Sequence, residues 1–199
     1  MTGLEASETP DPFAWFDKWY AEAEAEGSLC RDAMALATAD RCGMPSLRYV
    51  FFRGFHKGGL VFYSNYRSRK GRELASNPHA SAAFFWPGSR RQVRIEGTVE
   101  RVGRAMSQRY FADRSKPSQI GAWASRQSEE IADRNELFEK IAHFQDQFGQ
   151  GPVPLPVWWG GYRLIPHRFE FWKGAEHRRH HRHGFEKRAE GWRAFLLAP

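Results

Sequence analysis

The sequence predicts an α+β fold, mainly antiparallel β: a closed or partly closed barrel with peripheral helices. Three observations point there. Short apolar runs of strand character are separated by tight turn signals, segments of helical period are inserted among them, and no linker, repeat or low-complexity tract divides the 199 residues. One domain over residues 1–199 is expected, with residues 1–10 flexible.

Asp11-Pro12 marks a helix start, because Asp caps free N–H groups and Pro at the first helical position loses no bond. Phe13, Phe16, Tyr20 and Ala23 then recur at helical spacing, giving one amphipathic helix through about Glu26. Beyond it the period changes. Strands are predicted over 34–39, 47–52 and 60–64, with turns at Arg41-Cys-Gly-Met-Pro and Lys57-Gly-Gly. A short helix follows over 68–76, capped by Ser68 and stopped before Asn77-Pro78. Strands over 79–86 and 91–101 flank Pro87-Gly88, and Val93, Ile95, Gly97 and Val99 alternate with polar neighbours, so one face is buried. Two helices are predicted next, over 104–112 and 129–148, the second with a stripe of Leu137, Ile141, Phe144 and Phe148. The tail reads as short strands over 158–164, 168–172 and 192–197.

Composition narrows the function classes. With 41% apolar and 15% aromatic residues, the chain can pack a core, which excludes a disordered protein. No apolar run approaches the ~20 residues of a membrane span, and the N-terminus lacks the pattern of a secretory signal. Cys30 and Cys42 have no metal-site spacing, so reduced thiols in a cytoplasm are expected. The net charge is +7, and the acidic first 29 residues leave the remainder at +13. A basic body fits an anionic partner, either nucleic acid or a phosphorylated small molecule, as well as it fits a solvated surface.

Four segments carry candidate chemistry. Tyr63-Ser-Asn-Tyr-Arg-Ser-Arg-Lys-Gly runs from a strand end into a basic helix start, which is a phosphate cradle or a solvated helix end. Arg48 and Arg53 bracket an apolar strand and point to opposite faces if the strand is ideal. Tyr110, Arg114, Lys116 and Ser118 lie in a polar segment read as a loop after a helix, offering cations and hydroxyls to an anion. Finally, residues 172–183 hold four histidines among arginines. No Cys accompanies them and the arginines repel a divalent cation, so no metal is expected; an anion site with a histidine is favoured. A nucleic-acid groove would need exposed stacking aromatics, whereas Phe169, Phe171 and Trp172 read as strand residues.

Ser68-Arg-Lys, Arg91-Gln-Val, Ser118-Gln-Ile-Gly-Ala-Trp, Val153-Pro-Leu-Pro, Trp159-Gly-Gly and Phe171-Trp172 occur in an order and spacing that resemble the pyridoxine/pyridoxamine 5′-phosphate oxidase family. The resemblance runs from Asp11 to Pro199. It implies an FMN-binding split barrel, a homodimer with two flavins at the subunit interface, and no nucleic-acid or membrane partner. By motif position it places Arg48, Tyr63, Ser64, Arg69 and Lys70 on the FMN phosphate and ribityl chain. Gln92, Gln127, Ser128, Trp172 and Arg182 hold the rest of the flavin, some from the partner subunit. Arg53, Tyr110, Arg114 and Ser118 take the substrate phosphate, and Arg178 and His180 face the pyridine ring as the catalytic pair.

The implied reaction is oxidation of the 4′ carbon of pyridoxamine or pyridoxine 5′-phosphate to pyridoxal 5′-phosphate, with molecular oxygen reduced to hydrogen peroxide. Two phosphate monoesters per site, each carrying about −1.5 to −2 charge, account for the basic residues. Arg53 stands where the family usually has Lys, His181 where an acid is usual, and Leu196 where an Arg is usual. The alternatives are a related flavin oxidase acting on another substrate, such as a phenazine precursor, and a non-catalytic flavin or pyridoxal-phosphate binder.

Overall fold

The computed structural model describes residues 11–199, and the expectation of a flexible 1–10 segment lies outside them. Helix α1 (Pro12–Ala25) starts as expected, with the Asp11 carboxylate accepting from the Phe13 N–H at 3.0 Å. Nine strands follow the chain: β1 (Ala33–Ala39), β2 (Pro45–Phe51), β3 (Phe55–His56), β4 (Gly59–Asn65), β5 (His79–Trp86), β6 (Arg91–Arg101), β7 (Trp159–Lys173), β8 (His181–Arg188) and β9 (Gly191–Leu196). They form one antiparallel sheet in the order β2-β1-β5-β6-β7-β4-β3, and β8 and β9 extend it from β7. The ring comes round because the chain just past β2 bonds to β4: Arg53 N–H donates to Val61 C=O at 2.8 Å and Val61 N–H to Gly54 C=O at 2.9 Å.

The two tail strands expected over 158–164 and 168–172 are one strand of 15 residues, β7. Its first half pairs with β4 and its second half with β8, while β6 accompanies it throughout. Pro166, with no N–H to give a ladder, sits at this changeover beside an irregularity in β6 between Glu96 and Gly97. A Cβ on Gly97 would stand 2.1 Å from the Ile165 carbonyl oxygen, so the two backbones meet there only through glycine. Parting of one long strand between two partners is what splits the barrel.

Helices α2 (Arg69–Ser76), α3 (Arg104–Ala112), α4 (Lys116–Ala124) and α5 (Arg134–Phe148) lie outside the ring. Ser68 caps α2 as expected, its hydroxyl accepting from Gly71 N–H. The segment read as a loop after Ala112 is mostly α4, with Pro117 in its first turn and Gln119, Ile120, Ala122 and Ala124 buried. Helix α5 begins at Arg134 rather than 129, because Asp133 accepts from both Asn135 and Glu136 N–H groups.

The main core is aromatic. Phe16 of α1 meets Phe52 and Phe84 edge-to-face, with centroids 5.4 and 5.0 Å apart, inside a cluster that includes Trp86, Phe62, Tyr162, Phe169, Phe171 and Phe185. A second cluster joins Phe111, Ile120, Val153 and Trp159 beneath α3 to α5. Straps hold the 153–156 segment over it: Arg104 donates to the Leu155 and Pro156 carbonyls, and the Trp123 indole to that of Pro154. This second cluster fixes Tyr110, Arg114 and Ser118 relative to β4.

Candidate active site

A cavity of about 480 Å3 gathers residues that lie between Tyr49 and Trp159 in the sequence. Arg53, Tyr63, Ser64, Lys70, Tyr110, Arg114, Ser118 and Gln127, all predicted site residues, line it together with Tyr49, Phe51 and Trp159.

At one end stands Lys70, only 7% exposed. Its ammonium donates to Gln127 Oε1 at 2.9 Å, Ser64 Oγ at 3.1 Å and Ser68 Oγ at 3.3 Å, all neutral acceptors. Burial, reinforced by the nearby Arg48 charge, lowers its pKa to about 8. Behind it, Glu73 of α2 ties two arginines together. Its Oε1 accepts from Arg69 Nε at 2.8 Å, and its Oε2 from Ser46 Oγ at 2.6 Å, from Arg48 Nη2 at 3.3 Å and from the Thr38 hydroxyl. Burial alone would raise this carboxyl, but the Ser46 and Thr38 hydroxyls, then Arg69 and Arg48, pull it down to about 2. Arg48 is thereby built into the wall, donating also to the Leu36 carbonyl at 3.1 Å, whereas the Arg69 side chain stays 60% exposed.

At the other end, Tyr110 is fixed on its face and at its tip. Its ring stacks on Tyr63 with centroids 3.7 Å apart, and its hydroxyl accepts from Arg53 Nε at 2.9 Å. The Arg53 Nη1 pairs with Asp32 at 2.5 Å and with the Phe52 carbonyl at 3.0 Å. The Arg114 guanidinium lies 4.7 Å over the Trp159 ring, and its buried Nη1 has no partner among the described residues. Burial lowers its pKa, and an acceptor within the cavity would satisfy this nitrogen. Ser118 Oγ is 2.9 Å from Ser115 Oγ.

The other predicted residues stand apart from the cavity. Phe85, Gln92, Trp172 and Arg182 form one row across β5, β6, β7 and β8, each directly opposite the next. Arg182 is anchored by Glu170 Oε1 at 2.8 Å and the Ala198 carbonyl at 2.7 Å. The same sheet face carries Leu47, Tyr49 and Phe51 on β2; Tyr49, Phe51 and Phe85 are 76%, 52% and 61% exposed. Ser128 adopts φ +74° just beyond Gln127 and is exposed.

An extended segment would put Arg178 and His180 on one face, and the structure corrects this. Residues Glu176–Arg178 form a single 3-10 turn, closed by Arg179 N–H donating to Glu176 C=O at 3.1 Å, with His177 and Arg178 at φ +54° and +59°. His180 lies between this turn and β8, its ring 4.7 Å from that of Trp172. The Ala175 N–H donates to His180 Nδ1 at 3.2 Å, which assigns the proton of the neutral ring to Nε2. Among the described residues no three His, Cys, Asp or Glu side chains converge as metal ligands, and no helix is long and apolar enough to cross a membrane.

Sequence reasoning missed Asp32, Glu73 and Trp159. Glu73 was within reach, since it stands four residues after Arg69 on a predicted helix. Asp32 gave no signal, because only the fold brings it to Arg53.

Comparison with known proteins agrees with this geometry. Residues 22–148 match the family model described as pyridoxamine 5′-phosphate oxidase, and residues 159–199 that of the pyridoxine 5′-phosphate oxidase C-terminal dimerisation region. A pyridoxine/pyridoxamine 5′-phosphate oxidase of Rubrobacter xylanophilus is 46% identical over 96% of this chain and 88% of its own. One from Coxiella burnetii is 48% identical over 95% and 96%. Among solved structures, PhzG from Burkholderia lata in complex with tetrahydrophenazine-1-carboxylic acid superposes with a TM-score of 0.91 at 30% identity, covering 100% of this chain and 98% of that one. An FMN-binding protein from Nostoc punctiforme shares the fold at a TM-score of 0.76 and 16% identity, covering 96% and 100%. By sequence over nearly its whole length, and by fold, the chain belongs to the pyridoxamine 5′-phosphate oxidase family.

Proposed function

We propose that this protein oxidises pyridoxamine or pyridoxine 5′-phosphate to pyridoxal 5′-phosphate, using FMN and molecular oxygen and working as a homodimer. The observation that carries this reading is one cavity lined by two cationic groups, Lys70 and Arg114. Lys70 is a buried ammonium with only neutral partners, and Arg114 has a buried, unpartnered nitrogen. Each is costly without an anion, so the cavity fits two phosphate-bearing molecules.

The roles proposed are these. Lys70, Arg69, Ser64 and Tyr63 hold the flavin phosphate and ribityl chain, with Arg48 and Gln127 supporting them. Arg53, Tyr110, Arg114 and Ser118 hold the substrate phosphate, and Ser128 closes the flavin side. The partner subunit supplies the Gln92, Trp172 and Arg182 row, together with Arg178 and His180. Support for two chains comes from the exposed apolar strip beside that row and from the dimerisation region to which residues 159–199 are similar. When bound, the flavin supplies a two-electron acceptor for the 4′ carbon, and oxygen returns it to the oxidised form with release of hydrogen peroxide.

The chain's own residues then orient the substrate. With its phosphate fixed among Arg53, Tyr110 and Arg114, the pyridine ring is presented to Arg178 and His180. With Nδ1 accepting from the Ala175 N–H, His180 offers Nε2 to the substrate. Arg178 orients the substrate and stabilises charge developing on its ring.

A second reading has one specific support, the close structural likeness to PhzG. It is oxidation of a reduced phenazine precursor. Oxygen uptake by the purified yellow protein separates the readings: turnover of pyridoxamine 5′-phosphate supports the proposal, and turnover only of a phenazine precursor overturns it. Yellow protein that consumes no oxygen with either would be a binder.

A further inference from the structure

Arg53 has a neighbour the phosphate pocket does not need. Its Nη1 is held by Asp32 at 2.5 Å, its Nε donates to Tyr110 Oη at 2.9 Å, and its guanidinium lies 4.9 Å over the Phe51 ring. The remaining nitrogen, Nη2, has no protein partner among the described residues, although Arg53 lines the cavity. Asp32 does not line it. Both side chains of the pair are about one-third exposed.

We propose that Asp32 is a positioning residue that sets the affinity of the substrate-phosphate end. It clamps the guanidinium so that Nη2 is the nitrogen offered to the anion, and it cancels most of one positive charge there. The proposal rests on the assignment of Arg53 to the substrate phosphate. It also gives a physical reason for arginine at this position: a planar fork reaches Asp32, Tyr110 and an anion at once, whereas a lysine ammonium beside Asp32 would spend its charge on that carboxylate. A ligand phosphate therefore meets an end whose net charge comes mainly from Arg114. Binding is weaker than two free arginines would give, and the phosphorylated product leaves correspondingly faster.

Asn at position 32 keeps an acceptor for Nη1 and removes the charge; Ala removes both. In flavin-loaded enzyme, Asp32→Asn should lower KM for pyridoxamine 5′-phosphate and the inhibition constant of inorganic phosphate by about threefold or more, with the gain shrinking as salt rises. Asp32→Ala should gain less, because the fork is no longer held. Arg53→Lys should raise KM, and adding Asp32→Asn to it should recover much of the loss. Calorimetric titration with inorganic phosphate gives the same comparison without turnover. Unchanged or weaker phosphate binding in Asp32→Asn, in protein that folds and keeps its flavin, overturns the role of Asp32. Failure of the pocket assignment looks different: Arg53→Ala would then leave both KM and phosphate binding at wild-type values.

Discussion

Replacing Lys70 by Met separates stability from ligand binding at the buried end of the cavity. The folded protein holds this ammonium at a pKa of about 8 against an ordinary 10.5. At about 1.36 kcal/mol per unit, keeping it charged costs the flavin-free fold roughly 3 kcal/mol at neutral pH. Met removes that cost and keeps the apolar stem. Its three acceptors lose one bond each, but the Ser64 and Ser68 hydroxyls retain partners in Gln127 and the Asn65 carbonyl. A net gain of about 1–2 kcal/mol remains, which in a chain of this size raises Tm by about 3–6 °C. The pH dependence has a definite sign. The folded state binds fewer protons than the unfolded state between pH 8 and 10.5, so wild-type stability rises across that window, and the Met variant lacks this rise. Flavin binding should move the other way, weakening tenfold or more as a charge-assisted bond to phosphate is lost, about 1.5–3 kcal/mol. Calorimetric melting of flavin-free protein at pH 7 and pH 10, with flavin titration on the same samples, reads both. A variant that melts below wild type at pH 7 and binds flavin as tightly would refute the reasoning.

Three further outcomes are expected. Glu73→Gln should cost about 3 kcal/mol at pH 7 in urea denaturation; the wild-type contribution is present above pH 4.5 and lost as pH falls toward 2, so the variant should show a flatter acid limb. Tyr49→Glu, on the exposed strip of β2, should turn the dimer into monomer in sedimentation and release flavin in proportion; a yellow, active monomer would contradict the shared site. Arg178→Ala should retain flavin and dimerisation while kcat/KM falls at least tenfold, about 1.4 kcal/mol, and wild-type turnover would remove Arg178 from the chemistry.

Much of the fold was legible because local signals and tertiary packing agree. The Asp11-Pro12 and Ser68 caps, and the alternation along β6, point the same way at both levels. Elements were missed where the signal is short or masked. Strand β3 has two residues, and β8 runs through a basic, histidine-rich stretch without apolar alternation. Pro166 made β7 look like two strands, since proline normally interrupts a ladder. The site was legible through family resemblance more than through chemistry. Polar side chains near a helix start show that an anion can bind, but not that Lys70 is buried or that Arg114 has an orphan nitrogen. Burial is a property of the assembled cavity. The turn that carries Arg178 was illegible for a related reason, as two consecutive non-glycine residues at positive φ run against local preference.

The proposed dimer gives that unfavourable turn a physical reason. Among the described residues, His177 and Arg178 adopt positive φ with no hydrogen bond from the Arg178 side chain, and neither Arg178 nor His180 lines the cavity. The row from Phe85 to Arg182 likewise ends beside exposed aromatic surface instead of at a ligand. Under the two-fold symmetry of the proposed dimer, a face that carries both the row and the rim of the cavity would be self-complementary, each chain lending its row to the other's cavity. In the proposed dimer the flavins would cover the apolar strip, so that interface and sites would form together. Strain at Arg178 would be sustained by contacts across that interface rather than within the chain, which is why substitutions on β2, far along the sequence from residue 178, are expected to silence the same chemistry.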